Sequence, residues 1–557
     1  MEKRVCFWYS VLNNILNALQ KGLAMIASIL HSSSVDKNPA RDAVPQHDQR
    51  ASTETLSSQL SFSVLESIYP RTLVARILTQ TRRWEQRERK LSQLVMVYVL
   101  ITWMLLPLLT PRRALGRLVN AARLLGTYDG PALPTAAALV YRRRKLGVMP
   151  LRRVFEQVCL PLATPQTPGA FRFGRRLVSI DGTSFNVADT PANARAFGYQ
   201  GENKQAKKTT TSKPSERLPQ SPFPKLRALL LVEDGTHAII GARFAPVRVS
   251  EPALLPGVLS QLTPGMLLTL DAGLRSARTF EQIRAQGADV IGRIASGDFM
   301  RPWQVLADGS SLVRLKAKDD GLQQDLLIRI IEYRLQDDIA IPIAQQRRSR
   351  STSGTRAPKQ PELYRICTTL LDPREAPARE VAGSYHERWE EEVVIDEGKT
   401  HQLVVPMLGS KSPLLVIQQA YALLLGHDLL RVWMHRSAQQ EAGLDTDRLS
   451  FTETIEVVNV ALTLGTVLDL PQATGWQERL REMVRQRDLR LSERRVRSYP
   501  RVVKQSHNRF ERKRETDVGF RAPQAQASWE QYLMIMAKVT DLVDSYTTIE
   551  TDPILLI

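Results

Sequence analysis

Cysteine is almost missing from this chain, with three in 557 residues, at positions 6, 159 and 367. They are too few for a disulfide scaffold and too far apart for a zinc-finger spacing, so they read as core residues of a protein in a reducing cytosol. The eight histidines form no His/Cys cluster. The sequence has no Walker A or G-x-G-x-x-G phosphate loop and no G-x-S-x-G elbow, which leaves nucleotide-driven and serine-hydrolase chemistry without its usual parts. Acidic residues are also in deficit, 57 against 76 Lys and Arg, for a net charge of +19. A disordered chain is excluded by 43% hydrophobic residues, and the length predicts about three or four domains of ~150 residues.

The positive charge is regional. Residues 71–153 carry 17 Lys/Arg against 3 acids, and residues 479–521 carry 15 against 6, while the rest of the chain is slightly acidic. Two such segments read as surfaces for a polyanion. One long uncharged run, residues 91–111 (LSQLVMVYVLITWMLLPLLTP), is flanked by basic residues on both sides. On hydropathy a membrane span and a buried core helix explain it equally well, and the two-sided basic flanks give no positive-inside bias. The first 30 residues read as an amphipathic extension, because Asn13, Asn14, Asn17 and Lys21 interrupt the apolar run that a signal peptide needs.

Composition separates a polar, Ser-rich linker (31–60), a basic helical stretch (about 62–160), a boundary at 164–174, an α/β stretch beyond it, a β-rich part at 302–337, a long charged helix from about Pro377 and a basic helical C-terminal region. Polar loops are expected at 202–225 and 345–362. Apolar runs ending in a turn predict strands at 176–182 and 266–273, and the Asp-Gly pair at 234–235 predicts a hairpin.

Three carboxylates stand out. Asp181 and Asp271 each follow an apolar strand, where side chains of neighbouring strands converge, although Asp-Gly after a strand is by itself usually a turn. Asp234 shares that context and reads as an ordinary hairpin. In SYHERWEEEVVIDEGKT, Tyr385, Arg388, Glu392 and Lys399 fall at about 0°, −60°, −20° and −40° around a helix, on one narrow face, with Asp396 the rival carboxylate at about +20°. A solvated salt-bridge ladder is the plain explanation. The functional one is phosphodiester cleavage, with two Asp and one Glu as hard oxygen ligands for a pair of Mg2+ ions and the two cations gripping phosphates.

Tyr385-x2-Arg388-x3-Glu392-x6-Lys399 resembles the Y-R-E-K signature of bacterial DDE transposases of the insertion-sequence-four family. IDGTSFNVADTPANARAFG (180–198), LDAGLRSARTF (270–280) with Gly292-Arg293, and GSKSPLLVIQQAYALLL (409–425) resemble further blocks of that family, as does the helical region 68–160. The resemblance covers roughly residues 65–435. It implies an extension and linker (1–61), a helical basic DNA-binding domain (62–165), a ribonuclease-H-like catalytic core (170–296 and 373–435) with a β-rich insertion (297–372), and a helical basic C-terminal region (436–557). It also implies cut-and-paste transposition with Mg2+ (or Mn2+), two ions per site. It implies Asp181, Asp271 and Glu392 as catalytic, metal-binding carboxylates, with Tyr385, Arg388 and Lys399 on DNA phosphates. The implied partners are the element's inverted repeats and target DNA, with a homodimer in the synapse, no membrane, and a cytoplasmic, nucleoid-associated location. Trp303 is a candidate for the insertion-domain Trp on which family members stack a flipped base, with a core Trp as the plainer reading. A metal-dependent nuclease without strand transfer and an element-derived DNA-binding protein without catalysis are the alternatives.

Overall fold

The structure is a computed structural model that describes residues 60–491, apart from 86–90, 107, 125–127, 129–131, 201–220, 295–300, 318–320, 335–362 and 466–474. Most of the extension and linker, most of the 202–225 loop, the 345–362 insert and most of the basic segment 479–521 lie outside the described residues.

The N-terminal part is helical: α1 (Ser63–Glu66), α2 (Arg71–Gln80), α3 (Gln93–Leu105), α4 (Pro111–Leu124), α5 (Ala136–Leu146) and α6 (Met149–Val158). Side-chain caps mark the starts, with Ser92 accepting from the Val95 amide and Thr135 from the Ala138 amide. The uncharged run at 91–111 resolves into α3, whose 13 residues span about 20 Å, short of the ~30 Å hydrocarbon core of a bilayer. Its residues are apolar on every side because 11 of them are buried against other helices. The neighbouring α4 is amphipathic instead, burying Leu115, Leu118, Val119 and Ala122 while exposing Arg112, Arg113, Arg117 and Arg123.

The sheet begins with a short β1 (Phe171–Arg172) folded back on β2 (Arg175–Val187), and α7 (Pro191–Phe197) follows. The expected hairpin forms as β3 (Lys225–Glu233) and β4 (Ala238–Pro246), antiparallel to each other and to β2. After α8 (Glu251–Leu259), β5 (Met266–Leu270) runs parallel to β2; after α9 (Ala277–Ala285), β6 (Asp289–Arg293) runs parallel to β5. The order β4-β3-β2-β5-β6, three antiparallel strands and then two parallel ones, is the ribonuclease-H-like arrangement. The insertion continues this sheet: β7 (Gln304–Val305), β8 (Ser311–Leu315), β9 (Leu326–Arg334) and β10 (Leu363–Thr368) extend it as β6-β10-β9-β8-β7.

Beyond β10 come α10 (Ala378–His386), α11 (Trp389–Asp396) and a π-helical turn (Glu397–Gln402): the long charged helix expected from about Pro377 forms, but it tightens at Glu387–Arg388 and widens into the π turn at its end. A two-residue β11 (Met407–Leu408) pairs with the end of β2. Then α12 (Pro413–Ala438), α13 (Phe451–Gly465) and α14 (Trp476–Val484) complete the fold. By length and composition α12 can cross a membrane, but 94% of its most apolar window is buried inside the protein.

The α12 helix is central. One continuous hydrophobic cluster joins α1–α6, one face of β2–β4, α12, α13 and α14. A second covers the opposite sheet face under α8 and α9. Polar side chains tie the helical layers together. Arg143 donates to Gln418 (2.9 Å), Ser410 (3.0 Å) and the Leu415 carbonyl (3.0 Å), and burial lowers its pKa to about 10. Arg142 pairs with Glu85. Both arginines of this basic run are therefore internal struts, leaving Arg144 and Lys145 exposed at the end of α5.

Candidate active site

The site is built around the middle of β2, where the strand passes from the fully buried Leu177–Ile180 to half-buried Asp181–Ser184. Ile180 is in register with Leu270, the last residue of β5, so Asp181 and Asp271 emerge side by side from adjacent parallel strands. Each carboxylate is oriented by the amide that follows it: Gly182 N–H donates to Asp181 and Ala272 N–H to Asp271, both at 2.7 Å. Burial raises the Asp181 pKa; the Gly182 amide and Arg388 oppose the shift, and the charges of Glu251 and Asp271 add to it.

The third carboxylate comes from α11. The helix tightens into a turn at Glu387–Arg388, and Arg388 there lies between two acids, with Nη1 3.8 Å from Asp181 Oδ2 and Nη2 3.9 Å from Glu392 Oε1. Tyr385, at the end of α10, is buried among the same charges; its phenol is pushed up by burial, with Arg388 and Arg293 pulling it back and Asp271 pushing it further. Lys399 lies on the π-helical turn, a local widening often found at functional sites. Its ammonium donates to Thr183 Oγ1 on β2 at 2.7 Å and stands 5.5 Å from the centre of the Phe185 ring. Burial, then repulsion from Lys225, lowers its pKa to about 8, with Asp396 opposing.

All six residues marked by the sequence thus converge on one stretch of β2 and the end of β5, although not through one regular helix face as the spacing predicted. Asp396 is exposed and held by Thr400 at 2.6 Å. The donor set suits a hard divalent cation: oxygen ligands only, including an Asp181 raised mainly by burial and further by the Glu251 and Asp271 charges, with Arg388 nearly 4 Å away opposing.

Sequence reasoning missed several groups. Glu251, at the start of α8, packs against Gly182 so closely that a Cβ there would lie 2.2 Å from its carboxyl carbon; its carboxylate pairs with Arg227. Glu391 is fully buried behind Asp181, and burial with the nearby Asp181 and Asp234 charges raises its pKa well above the ordinary value. Asp234 does sit in a hairpin turn, but it is no ordinary turn residue. It is fully buried, accepts from Ser179 on β2, and is pushed up to about 8 by burial. No local signal separates these acids from solvated ones. Trp303 is 62% exposed just before β7, not a core residue.

Strand order and site together define a ribonuclease-H-like protein with carboxylates gathered at its central strands. Comparison with known proteins gives the particular family. The chain matches the insertion element 4 transposase N-terminal family over residues 59–156 and the transposase DDE domain family over residues 172–425. It is 25% identical over 445 residues to the transposase InsG of insertion sequence element IS4 from Escherichia coli K12, covering 78% of this chain and 90% of that one. A putative transposase InsZ of the same organism is 27% identical over 152 residues, 26% of this chain and 44% of its own. A piggyBac transposase synaptic complex with hairpin DNA, solved by cryo-electron microscopy, aligns over 77% of this chain and 86% of that chain with a TM-score of 0.39 at 10% identity. The chain belongs to the IS4 family of DDE transposases. It is a DNA transposase, an enzyme of DNA cleavage and strand transfer, and its family works with a divalent metal.

Proposed function

We propose that Asp181, Asp271 and Glu392 are the catalytic, metal-holding carboxylates, and that the enzyme excises its own element at the terminal inverted repeats and joins the 3′ ends to target DNA. The observation that carries this reading is the bridge of Arg388 between Asp181 and Glu392, beside an Asp271 set in register with Asp181. When bound there, two Mg2+ ions (or Mn2+) supply activation of the attacking water or 3′-hydroxyl and charge neutralisation at the leaving oxygen. The chain's own part is to hold the scissile phosphate. Arg388 turns its fork from the carboxylates to the phosphate, Tyr385 meets a flanking phosphate through its hydroxyl, and Lys399, fixed by Thr183, provides a point charge. The exposed arginines of α4 form the face for the inverted repeat. Trp303, exposed on the outer edge of the insertion, is placed to stack on a base of the element end. The working form is a homodimer pairing two ends, in the bacterial cytoplasm at the nucleoid.

The test uses a labelled duplex carrying the sequence that flanks the gene, with Mg2+. Wild type is expected to cut at the end of the repeat, whereas Asp181→Ala and Glu392→Gln bind the same duplex and leave it uncut. Normal cutting by Glu392→Gln would overturn the Glu assignment and move it to Asp396.

A further inference from the structure

At Glu387–Arg388 the helix tightens: both residues stay in the right-handed helical region, but the bonds switch to i→i−3, with Glu390 N–H on the Glu387 carbonyl at 2.9 Å and Glu391 N–H on that of Arg388 at 3.2 Å. Only this short turn links α10 to α11, so side anchors share in aiming Glu392. Two acids seven residues apart, Glu390 and Glu397, lie on the face of this segment turned into the protein, and Glu392 lies about 160° around the helix from Glu390. Both acids are anchored. Glu390 Oε2 is 2.8 Å from His237 Nε2. Glu397 is gripped by Arg431 of α12 through two N–H groups, and His427 Nε2 is 3.1 Å from its Oε2. Arg431 also joins the two anchors, since its Nη2 lies 2.7 Å from His237 Nδ1. His237, Glu390, Glu397, Arg431 and His427 are all buried.

His237 itself sits at the tip of the β3–β4 hairpin in the left-handed region, φ +60°. A histidine held there carries backbone strain that persists only where the surroundings fix the residue, and such positions gather at functional sites. Arg431, which can only donate, faces Nδ1, while Nε2 faces Glu390 with Asp447 Oδ1 3.3 Å away. Burial and Arg431 pull the ring pKa down, but Asp447, Glu390 and Glu397 outweigh them and raise it.

We infer that His237 is a positioning residue of the transposase site, the strut by which the β3–β4 hairpin tip holds α11 so that Glu392 meets Asp181 and Asp271. The inference rests on the reading of Glu392 as the third catalytic carboxylate. The hairpin joins β3, the antiparallel neighbour of β2, so the strand bearing Asp181 and the helix bearing Glu392 are referenced to one rigid element. His237 touches no proposed ligand and acts only through the helix, so its effect falls at or below the roughly 10–100-fold that groups bonded directly to a metal ligand carry.

The experiment compares wild type with His237→Gly, which removes the ring and relieves the left-handed strain, and with His237→Asn, which tolerates that backbone and keeps a donor. Mn2+ binding to the full-length protein on its end duplex is read from the free-Mn2+ electron paramagnetic resonance signal, and amide exchange is followed across residues 389–402. His237→Gly is expected to weaken Mn2+ binding by up to about 10-fold and to speed exchange in 389–402 while the amides of α12 keep their protection, with His237→Asn in between. Glu390→Gln, which leaves the hairpin untouched, is expected to weaken Mn2+ binding in the same direction and serves if the His237 variants fail to fold. Glu392→Gln is run alongside. If it is inactive while the His237 and Glu390 variants bind Mn2+ as wild type does, the strut is refuted and the catalytic reading stands. If Glu392→Gln cuts normally, both fall together.

Discussion

Lys399 shows at the level of one side chain how folding adjusts a charge for its task. Its ammonium is pinned to Thr183 above the Phe185 ring, and burial lowers its pKa to about 8. On the proposed role the cation is the form that meets a phosphate; it is half populated near pH 8, dominant below that and lost above it. For folding the sign is reversed: a lysine whose pKa is depressed in the folded state costs stability while charged, and the cost is relieved as pH rises through 8. We predict that kcat/KM for end cleavage falls as pH rises through about 8. Lys399→Arg should move that limb to higher pH, because the guanidinium stays charged. Lys399→Met should lower kcat/KM about 10–100-fold at pH 7, the factor carried by a charge-assisted hydrogen bond of ~1.5–3 kcal/mol, while raising thermal stability. A pH–rate profile and melting curves check all three. The spacing of Tyr385, Arg388, Glu392 and Lys399 made these residues legible in the sequence. The depressed lysine was not, because it depends on β2, which lies more than 200 positions away along the chain.

Among the elements, strands were the readable part. The apolar runs that became β2 and β5 and the Asp-Gly hairpin of β3 and β4 show in local pattern because a buried strand is a short, self-declaring run. The tight turn between α10 and α11 and the π-helical turn do not, since no Pro or Gly marks Glu387–Arg388 and the charged pattern runs through both unchanged. The α12 helix is a further case, being apolar in composition yet carrying buried Gln418, His427, Asp428 and Arg431. Asp428 shares the Tyr69 hydroxyl, which lies 2.9 Å from its Oδ2 and 2.5 Å from the Leu425 carbonyl. One hydroxyl hydrogen cannot serve both acceptors, so a protonated Asp428 donating to Tyr69 satisfies the set. Burial accordingly raises Asp428 to about 7, while hydrogen bonds with Tyr69 and Cys159 oppose the rise. A raised acid contributes stability that is complete below its unfolded value near 4 and lost as pH rises through 7. Asp428→Asn, which keeps a donor without the charge, is predicted to melt about 2–4 °C above wild type at pH 8 and to lose that advantage at pH 5. Melting temperatures across pH 5–8 test this; parallel curves for the two proteins would refute it.

Over the whole molecule, the helical N-terminal part and the catalytic part are separate in sequence pattern but not in packing. The change of composition at 164–174 marks where helices give way to strands, and the two matched families also part between residues 156 and 172. Yet Val97, Ile101, Leu118, Leu151 and Phe155 belong to the same buried cluster as Val416, Leu425 and Trp433 of α12 and Phe244 of β4. Arg143 and Tyr69 make their buried hydrogen bonds to α12. Each large apolar side chain withdrawn from water contributes about 1.5–3 kcal/mol, so a handful of them matches the ~5–15 kcal/mol by which a protein is stable at all. Removing the N-terminal helices would also strand Asp428 and Gln418 without partners in a surface meant to be dry. The catalytic part is therefore predicted not to fold alone. A chain beginning at residue 166 should be insoluble or lack a cooperative melt, and co-expression with residues 59–165 should recover a soluble complex of the two pieces. A cooperative melt from the catalytic fragment by itself would show that the shared cluster is dispensable. The expected result would mean that an element end gripped by the arginines of α4 is held on the same rigid body as Asp181, Asp271 and Glu392, with the distance from grip to cut fixed by α12.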